Sequence, residues 1–219
     1  MNKSVEGIVI RQTKTTGGRL ITLIFTREEG KISAGGFSTG KGKGVSALAL
    51  RPFAYGQYHL AERRKDFRQL LSAESVNAFY ALGEDIDRFA EASYVLEFTD
   101  KLLPEGVPAP AIFDLLKEYL ELLSLRKNSF RLLTISYMVK VMQEFGVFPD
   151  PDLLRDGVLL SELNDDILDV LVFIEGQPLQ RMETLTLNSE KESVVFGVIK
   201  NFAQKHLDLG TIKSERLFV

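Results

Sequence analysis

Gly18-Arg19-Leu20-Ile21-Thr22-Leu23-Ile24-Phe25-Thr26 decides the architecture of the first third of this chain. β-Branched and aromatic residues dominate it, and the turn Glu28-Glu29-Gly30 follows, so it reads as a strand. Working outward, Val5 to Arg11 carries Val5, Ile8, Val9 and Ile10, and Lys31 to Phe37 makes a short strand after the turn. Leu48 to Leu60 is a longer run in which Pro52 and Gly56 suit bulge or edge positions. Asp66 to Leu71 supplies a fifth strand. Five short strands separated by glycine-bearing turns predict a small barrel or sandwich, and a five-stranded Greek-key barrel is the OB-fold, a platform for single-stranded nucleic acid.

After residue 72 the apolar period lengthens to that of helices. Ser72 suits an N-cap and predicts a helix over Ala73 to Ala81, with Glu74 in its first turn. Further helices are predicted over Asp85 to Leu103, Pro110 to Leu125, Ser129 to Phe145, Leu163 to Glu175 and Glu190 to His206. Ser189 is the expected cap of the last, and Leu185-Thr186-Leu187 reads as extended. The predicted class is α+β: an N-terminal five-stranded OB-fold β-barrel over residues 1–72, then a mainly α-helical domain over 73–219. No internal repeat is visible, and Gly40-Lys41-Gly42-Lys43-Gly44 is the most flexible-looking segment.

The 219 residues are 45% apolar and 26% charged, ordinary values for a globular protein large enough to bury a core without staples. Cysteine is absent, which excludes disulfides, a thiol nucleophile, iron–sulfur clusters and thiolate zinc sites. His59 and His206 lie far apart, so a histidine metal site is not expected either. No apolar run approaches a membrane span and no secretory signal is visible, so the chain reads as cytosolic. The net charge of −3 hides a split. Residues 1–72 hold 13 Lys and Arg against 5 Asp and Glu, a net of +8; residues 73–219 hold 14 against 25, a net of −11. Such asymmetry points to a polyanion partner for the first part.

Gly35-Gly36-Phe37-Ser38-Thr39-Gly40-Lys41 matches the first seven positions of a P-loop, but Gly42 stands where a magnesium-binding hydroxyl is required. No helix pattern follows to hold phosphate on its N-terminus. His59 has no nucleophile or acid close by in sequence except Glu62. Asp165 and Asp166 suit a helix start, and with Asp169 they are too few ligands for calcium. The basic residues carry more information. Arg11, Lys14 and Arg19 flank the first turn, Lys41 and Lys43 lie in the glycine-rich loop, Arg51 precedes Pro52, and Arg63-Arg64-Lys65 is followed by Arg68. Phe37, Phe53, Tyr55, Tyr58 and Phe67 are interleaved with them. Such cations neutralise phosphates, while exposed aromatic faces stack on unpaired bases. The plainer reading makes most of the aromatics barrel core.

Phe25-Thr26-Arg27-Glu28-Glu29-Gly30-Lys31, Leu48-Ala49-Leu50-Arg51-Pro52-Phe53 and Ser72-Ala73-Glu74 occur in the order seen in the RecO family of recombination mediators. Tyr94, Glu97, Leu102, Leu103 and Glu105 resemble that family's long first helix region, and Ile212-Lys213-Ser214-Glu215-Arg216-Leu217-Phe218 resembles its C-terminal signature. The resemblance covers nearly the whole chain. It implies an OB-fold followed by a helical domain in the bacterial cytoplasm, close to the nucleoid. It also implies binding of single- and double-stranded DNA, strand annealing, and action with RecR to load RecA onto strands coated by single-strand-binding protein. Many members carry a cysteine zinc site after the Gly-x-x-Pro that matches Gly146 to Pro149. With no cysteine here, no metal and no cofactor are expected. Many members are also richer in Lys and Arg where this chain has Gly36-Phe37-Ser38-Thr39-Gly40.

The sequence therefore predicts a non-catalytic DNA-binding adaptor for recombinational repair. Its expected DNA contacts are Arg11, Lys14, Arg19, Lys41, Lys43, Arg51, Arg63, Arg64, Lys65 and Arg68. The alternative is a protein–protein scaffold whose barrel does not bind DNA. The resemblance further implies that the helical domain docks the acidic, apolar C-terminal tail of single-strand-binding protein. Arg131 and Lys140 are the expected cations of that groove, with Ile135, Met138 and Met142 as its lining.

Overall fold

The computed structural model describes residues 2–16, 20–36, 46–64, 67–128, 130–150 and 165–218. Strands β1 (Asn2–Lys14), β2 (Leu20–Thr26), β3 (Gly30–Gly36), β4 (Tyr55–Arg64) and β5 (Phe67–Asn77) close into a barrel in the order β1-β2-β3-β5-β4. All neighbours are antiparallel except β3 and β5. This is the OB-fold, as the turn spacing predicts.

The apolar run of β2 has a physical reason: both faces of the strand are covered. Ile24 joins Val5, Val9, Tyr58, Leu60 and Leu70 inside the barrel, while Leu23 and Phe25 point outward into the core shared with the helices. β1 behaves likewise, with Val9 inside and Ile8 and Ile10 outside, across a bulge between Val9 and Arg11. A 3-10 turn, Leu48–Leu50, plugs one end of the barrel through the buried Ala49 and Leu50.

Two expectations for this part are corrected. The run Leu48 to Leu60 is not one strand, because β4 starts only at Tyr55, after the Leu48–Leu50 turn and Pro52. The helix predicted over Ala73 to Ala81 does not exist. β5 continues to Asn77, with Ala73 opposite Tyr58 and Glu74 opposite Gln57. Ser72 and Glu74 suit a helix start locally, but closing the barrel requires their backbone groups for the β4 ladder. Gly56 permits the close crossing there: a Cβ would lie 2.1 Å from the Glu74 carbonyl oxygen.

The helical part comprises a short α1 (Ala81–Glu84), α2 (Ile86–Leu102), α3 (Pro110–Leu125), α4 (Phe130–Glu144), α5 (Asp165–Gly176) and α6 (Ser189–Leu207). Asp85 caps α2 by accepting from the backbone N–H groups of Asp87 and Arg88. Asn188, not Ser189, caps α6 by accepting from the Lys191 N–H. Leu185-Thr186-Leu187 lies between helical segments and pairs with no strand, and the backbone of Leu185 is extended, with φ −97° and ψ 126°. No helix among the described residues is long and apolar enough to cross a membrane.

Barrel and helices share one apolar core. Ile8, Ile10, Leu23, Phe25 and Phe53 belong to the same buried cluster as the inner faces of α2, α3 and α4. Phe25 meets Phe113 edge-on at 5.5 Å, and Phe53 meets Phe89 at 5.8 Å. At Gly30 (φ +70°) a Cβ would sit 2.1 Å from the Val107 carbonyl oxygen, so the β2–β3 turn docks directly on the loop between α2 and α3.

Candidate nucleic-acid interface

The cations of the barrel fall into two groups. In the first, the charged heads are committed to acids. Lys31 is buried and donates to the Asp100 carboxylate at 2.6 Å and to the Asp100 backbone carbonyl. Arg11 donates to the other carboxylate oxygen of Asp100 at 3.1 Å. Arg27 grips Asp114 with two hydrogen bonds of 3.0 and 2.8 Å, and this pairing holds the Asp114 carboxyl below its ordinary range. Lys3 and Arg68 both pair with Glu29, at 2.7 and 3.1 Å. Burial pushes the Glu29 carboxyl up, but these two cations outweigh it and hold it low. Much of the positive charge of the first third therefore ties barrel strands to one another and to α2 and α3.

Lys14 and Arg51 form the second group. Both are exposed, with no acid partner among the described residues. Lys14 ends β1, and Arg51 follows the turn that plugs the barrel. Arg11 retains an exposed side chain, 56% accessible, and can turn part of its guanidinium outward. The backbones of Arg63 and Arg64 end β4, beside the residue opposite Arg68. Arg19, Lys41, Lys43 and Lys65 lie outside the described residues, as does most of the P-loop-like segment beyond Gly36.

The interleaved aromatics separate as well. Tyr58 is wholly buried in the barrel, donating to the carbonyl oxygens of Ala49 and Ala54, and burial pushes its phenol well up. It is core and cannot stack on a base. Tyr55 donates to Glu6 and accepts from Lys117 at 3.0 Å, again joining barrel to α3. Phe53 reaches a cleft of about 780 Å³ between β1, α1 and α2. Arg11 and Arg51 line the cleft from the barrel side and Lys101 and Lys213 from the helical side. Sequence reasoning passed over Lys101, which reads as an ordinary cation in the last turn of a helix, and Lys213, which lies in the C-terminal signature.

The groove expected around Arg131 and Lys140 is closed. Ile135, Met138 and Met142 are wholly buried, because α4 is covered on nearly every side. Arg131 pairs with Glu91 at 2.5 Å, and its guanidinium lies over the rings of Phe196 and Phe218. Lys140 donates to the Glu175 carbonyl at 2.5 Å. A helix apolar all round is a central helix, and its few cations are consumed by neighbouring helix ends and acids.

His59 is half-buried on β4, in register with Ser4 and Ser72, and no carboxylate stands opposite it on either neighbour. Asp165 and Asp166 occupy the first turn of α5, where Asp166 pairs with Lys191 at 3.3 Å. Among the described residues no three His, Asp or Glu side chains converge as metal ligands.

Comparison with known proteins agrees with this two-part architecture. Residues 1–79 match the family described as recombination protein O N terminal, and residues 83–152 match recombination protein O C terminal. The DNA repair protein RecO of Pelotomaculum thermopropionicum is 24% identical, over 93% of this chain and 88% of that protein. The RecO of Alkaliphilus metalliredigens is 28% identical over 66% of this chain, and that of Myxococcus xanthus 33% identical over 60%. These two alignments span 58% and 53% of the relatives' own lengths. The first match ends just past the last barrel strand and the second begins within α1, so barrel and helices are matched in the same order in one continuous chain, and it belongs to the RecO family.

Proposed function

We propose that this chain is a non-catalytic DNA-binding mediator of recombinational repair. It binds single- and double-stranded DNA on its barrel, anneals complementary strands, and helps RecR load RecA onto DNA coated by single-strand-binding protein. The observation that carries this reading is a closed OB barrel, in a RecO-family chain, that presents Lys14 and Arg51 without acid partners among the described residues. Cations on one surface neutralise the phosphates of two strands, so the strands are held together at reduced mutual repulsion. The proposed contacts are Lys14, Arg51 and Arg11, together with Arg19, Lys41, Lys43, Arg63, Arg64 and Lys65 as the sequence predicts. Arg68 joins only by giving up part of its hold on Glu29. The helical part docks protein partners, and the acidic tail of single-strand-binding protein binds away from the closed face of α4.

Fluorescence anisotropy with labelled oligonucleotides at several salt concentrations tests this. Contact with three to five phosphates gives a slope of log affinity against log salt of about −2 to −4. Replacing Arg63, Arg64 and Lys65 together by Ala should weaken binding equally for all sequences and flatten that slope. Salt-independent binding would overturn the electrostatic mechanism. The internal pairing of Arg11, Arg27, Lys31 and Arg68 favours one second reading, a protein scaffold, and absence of DNA binding at low salt together with capture of RecR would select it.

A further inference from the structure

The cleft between the barrel and α2 has an aromatic floor and a cationic rim. Phe53, Phe79, Tyr80 and Phe89 line it, and Arg51, Lys101 and Lys213 stand around it. Phe53 and Phe79 have φ of +76° and +46°, in the left-handed region. The only other non-glycine residue with positive φ among the described residues is Asp208, a residue type that tolerates that region far better than Phe. Each Phe is pinned by a backbone hydrogen bond: the Phe53 N–H donates to the Val9 carbonyl, and the Phe79 N–H to Asn77 Oδ1, both at 2.9 Å. Two strained aromatic residues at the same cleft indicate that the fold tolerates strain in order to shape it. Phe53 and Phe79 are buried at the base of the cleft, while Tyr80 at 53% and Phe89 at 37% exposed present ring surface to solvent.

The two acids of the cleft do not cancel the rim. Glu97 is saturated by the N–H groups of Lys213 and Ser214 and by the Ser214 hydroxyl, and Asp100 by Lys31 and Arg11. Arg51, Lys101 and Lys213 are exposed and close no salt bridge among the described residues, although the charge of Lys101 helps to hold the Glu97 carboxyl low. The cleft is therefore locally positive even on the side built by the acidic half of the chain.

We propose that this cleft receives unstacked nucleotides of single-stranded DNA, with a base on the face of Tyr80 or Phe89 and phosphates on Arg51, Lys101 and Lys213. This rests on the DNA-binding reading and extends it: the strand runs off the barrel onto the helical part, and the site selects single strands over duplex. Bases in a duplex cannot reach the floor, whereas an unpaired base of any sequence offers a π-face to it. An acidic peptide with an apolar anchor has the same charge, but the concentration of aromatic rings favours bases.

The test is equilibrium anisotropy with labelled oligo-dT and a labelled duplex of equal length, on wild type, Tyr80→Ala and the Lys101→Ala, Lys213→Ala pair. These side chains are exposed, so the fold persists, and circular dichroism checks that it does. Tyr80→Ala should weaken oligo-dT binding about 5- to 10-fold and leave duplex binding nearly unchanged. The lysine pair should flatten the oligo-dT salt slope by about 1 to 2. Equal losses on both DNAs, or no loss on oligo-dT while wild type binds it, would overturn the cleft assignment alone. Wild type that binds neither DNA would remove the DNA-binding reading itself. An acidic, aromatic peptide that binds wild type but not the variants, with oligo-dT unaffected, would overturn the nucleotide assignment in favour of a peptide.

Discussion

Arg131 holds its guanidinium 4.6 Å from the centroid of the Phe196 ring and 3.8 Å from that of Phe218, with the carboxylate of Glu91 at 2.5 Å. Glu91 is only 5% exposed, so its charge depends on this partner. Phe218 belongs to the C-terminal segment, so the same guanidinium helps to fix the end of the chain against α2 and α6. Replacing Arg131 by Ala should leave a buried, unpaired carboxylate and cost about 3 kcal/mol in urea denaturation. A loss under about 1 kcal/mol would show that Glu91 does not rely on Arg131. The sequence gives no hint of this role: nothing near Arg131 in the chain announces Glu91, 40 residues upstream, or Phe218 at the far end.

At the scale of elements, the β2–β3 turn illustrates how one backbone position couples two parts. Gly30 and Gly146 both have positive φ, but only Gly30 is crowded: a Cβ there would meet Val107 backbone atoms at 2.1 to 2.8 Å. Gly146 has nothing within 4 Å of the same position. Both Gly→Ala changes incur backbone strain of about 1 kcal/mol, and Gly30→Ala should cost clearly more, because the turn must lift off the α2–α3 loop. Parallel thermal melts of the two variants measure the difference, and equal costs would mean that the loop moves freely. β5 makes the converse point. Ser72-Ala73-Glu74 has the local chemistry of a helix start, yet it lies mid-strand because Ala73 is the small residue that fits opposite Tyr58. Ala73→Leu should overpack the barrel there and cost about 1–3 kcal/mol.

Across the whole molecule, the charge split between the two halves is in part a docking device. Lys31 and Arg11 on Asp100, Arg27 on Asp114 and Lys117 near Glu6 are all pairs between barrel and helices. The apolar contact between the halves is equally direct, since Ile8, Ile10, Leu23, Phe25 and Phe53 are covered by helices. A fragment of residues 1–79 should therefore expose an apolar face and self-associate in size-exclusion chromatography. A stable monomer would contradict the shared core. Acid should weaken the same framework. The carboxyls of Glu29, Glu97 and Asp114 are all held below their ordinary values: burial pushes Glu29 and Glu97 up, but cations and backbone N–H groups outweigh it, while Arg27 acts chiefly on Asp114. Their folded values lie below the unfolded ones, so the unfolded chain binds more protons in acid. The stability they contribute is complete above the ordinary carboxylate range, near 4.5, and is lost as pH falls through the depressed values. Unfolding free energies from pH 6 down to pH 3 should decline, and Glu97→Gln should make that decline shallower.

By itself the sequence determined that five strands precede the helices, most helix limits and the absence of thiol chemistry. Those features are written in neighbouring residues: the apolar run through Ile21 and Phe25, Asp85 before α2, and Pro110 at the start of α3. It also singled out Arg11 and Arg51 as candidate contacts, and the fold brings both to one cleft. Only the tertiary structure decided which cations remain free. Arg11 meets an acid 89 residues away and Lys31 one 69 residues away, distances at which local pattern carries no information. Lys101 and Lys213 join the cleft for the same reason, although Lys101 lies in an acidic stretch of chain and the two are more than a hundred residues apart. Strand or helix at Ser72 was likewise settled by barrel closure, because backbone hydrogen bonds satisfied across a sheet outweigh a capping preference worth about 1 kcal/mol.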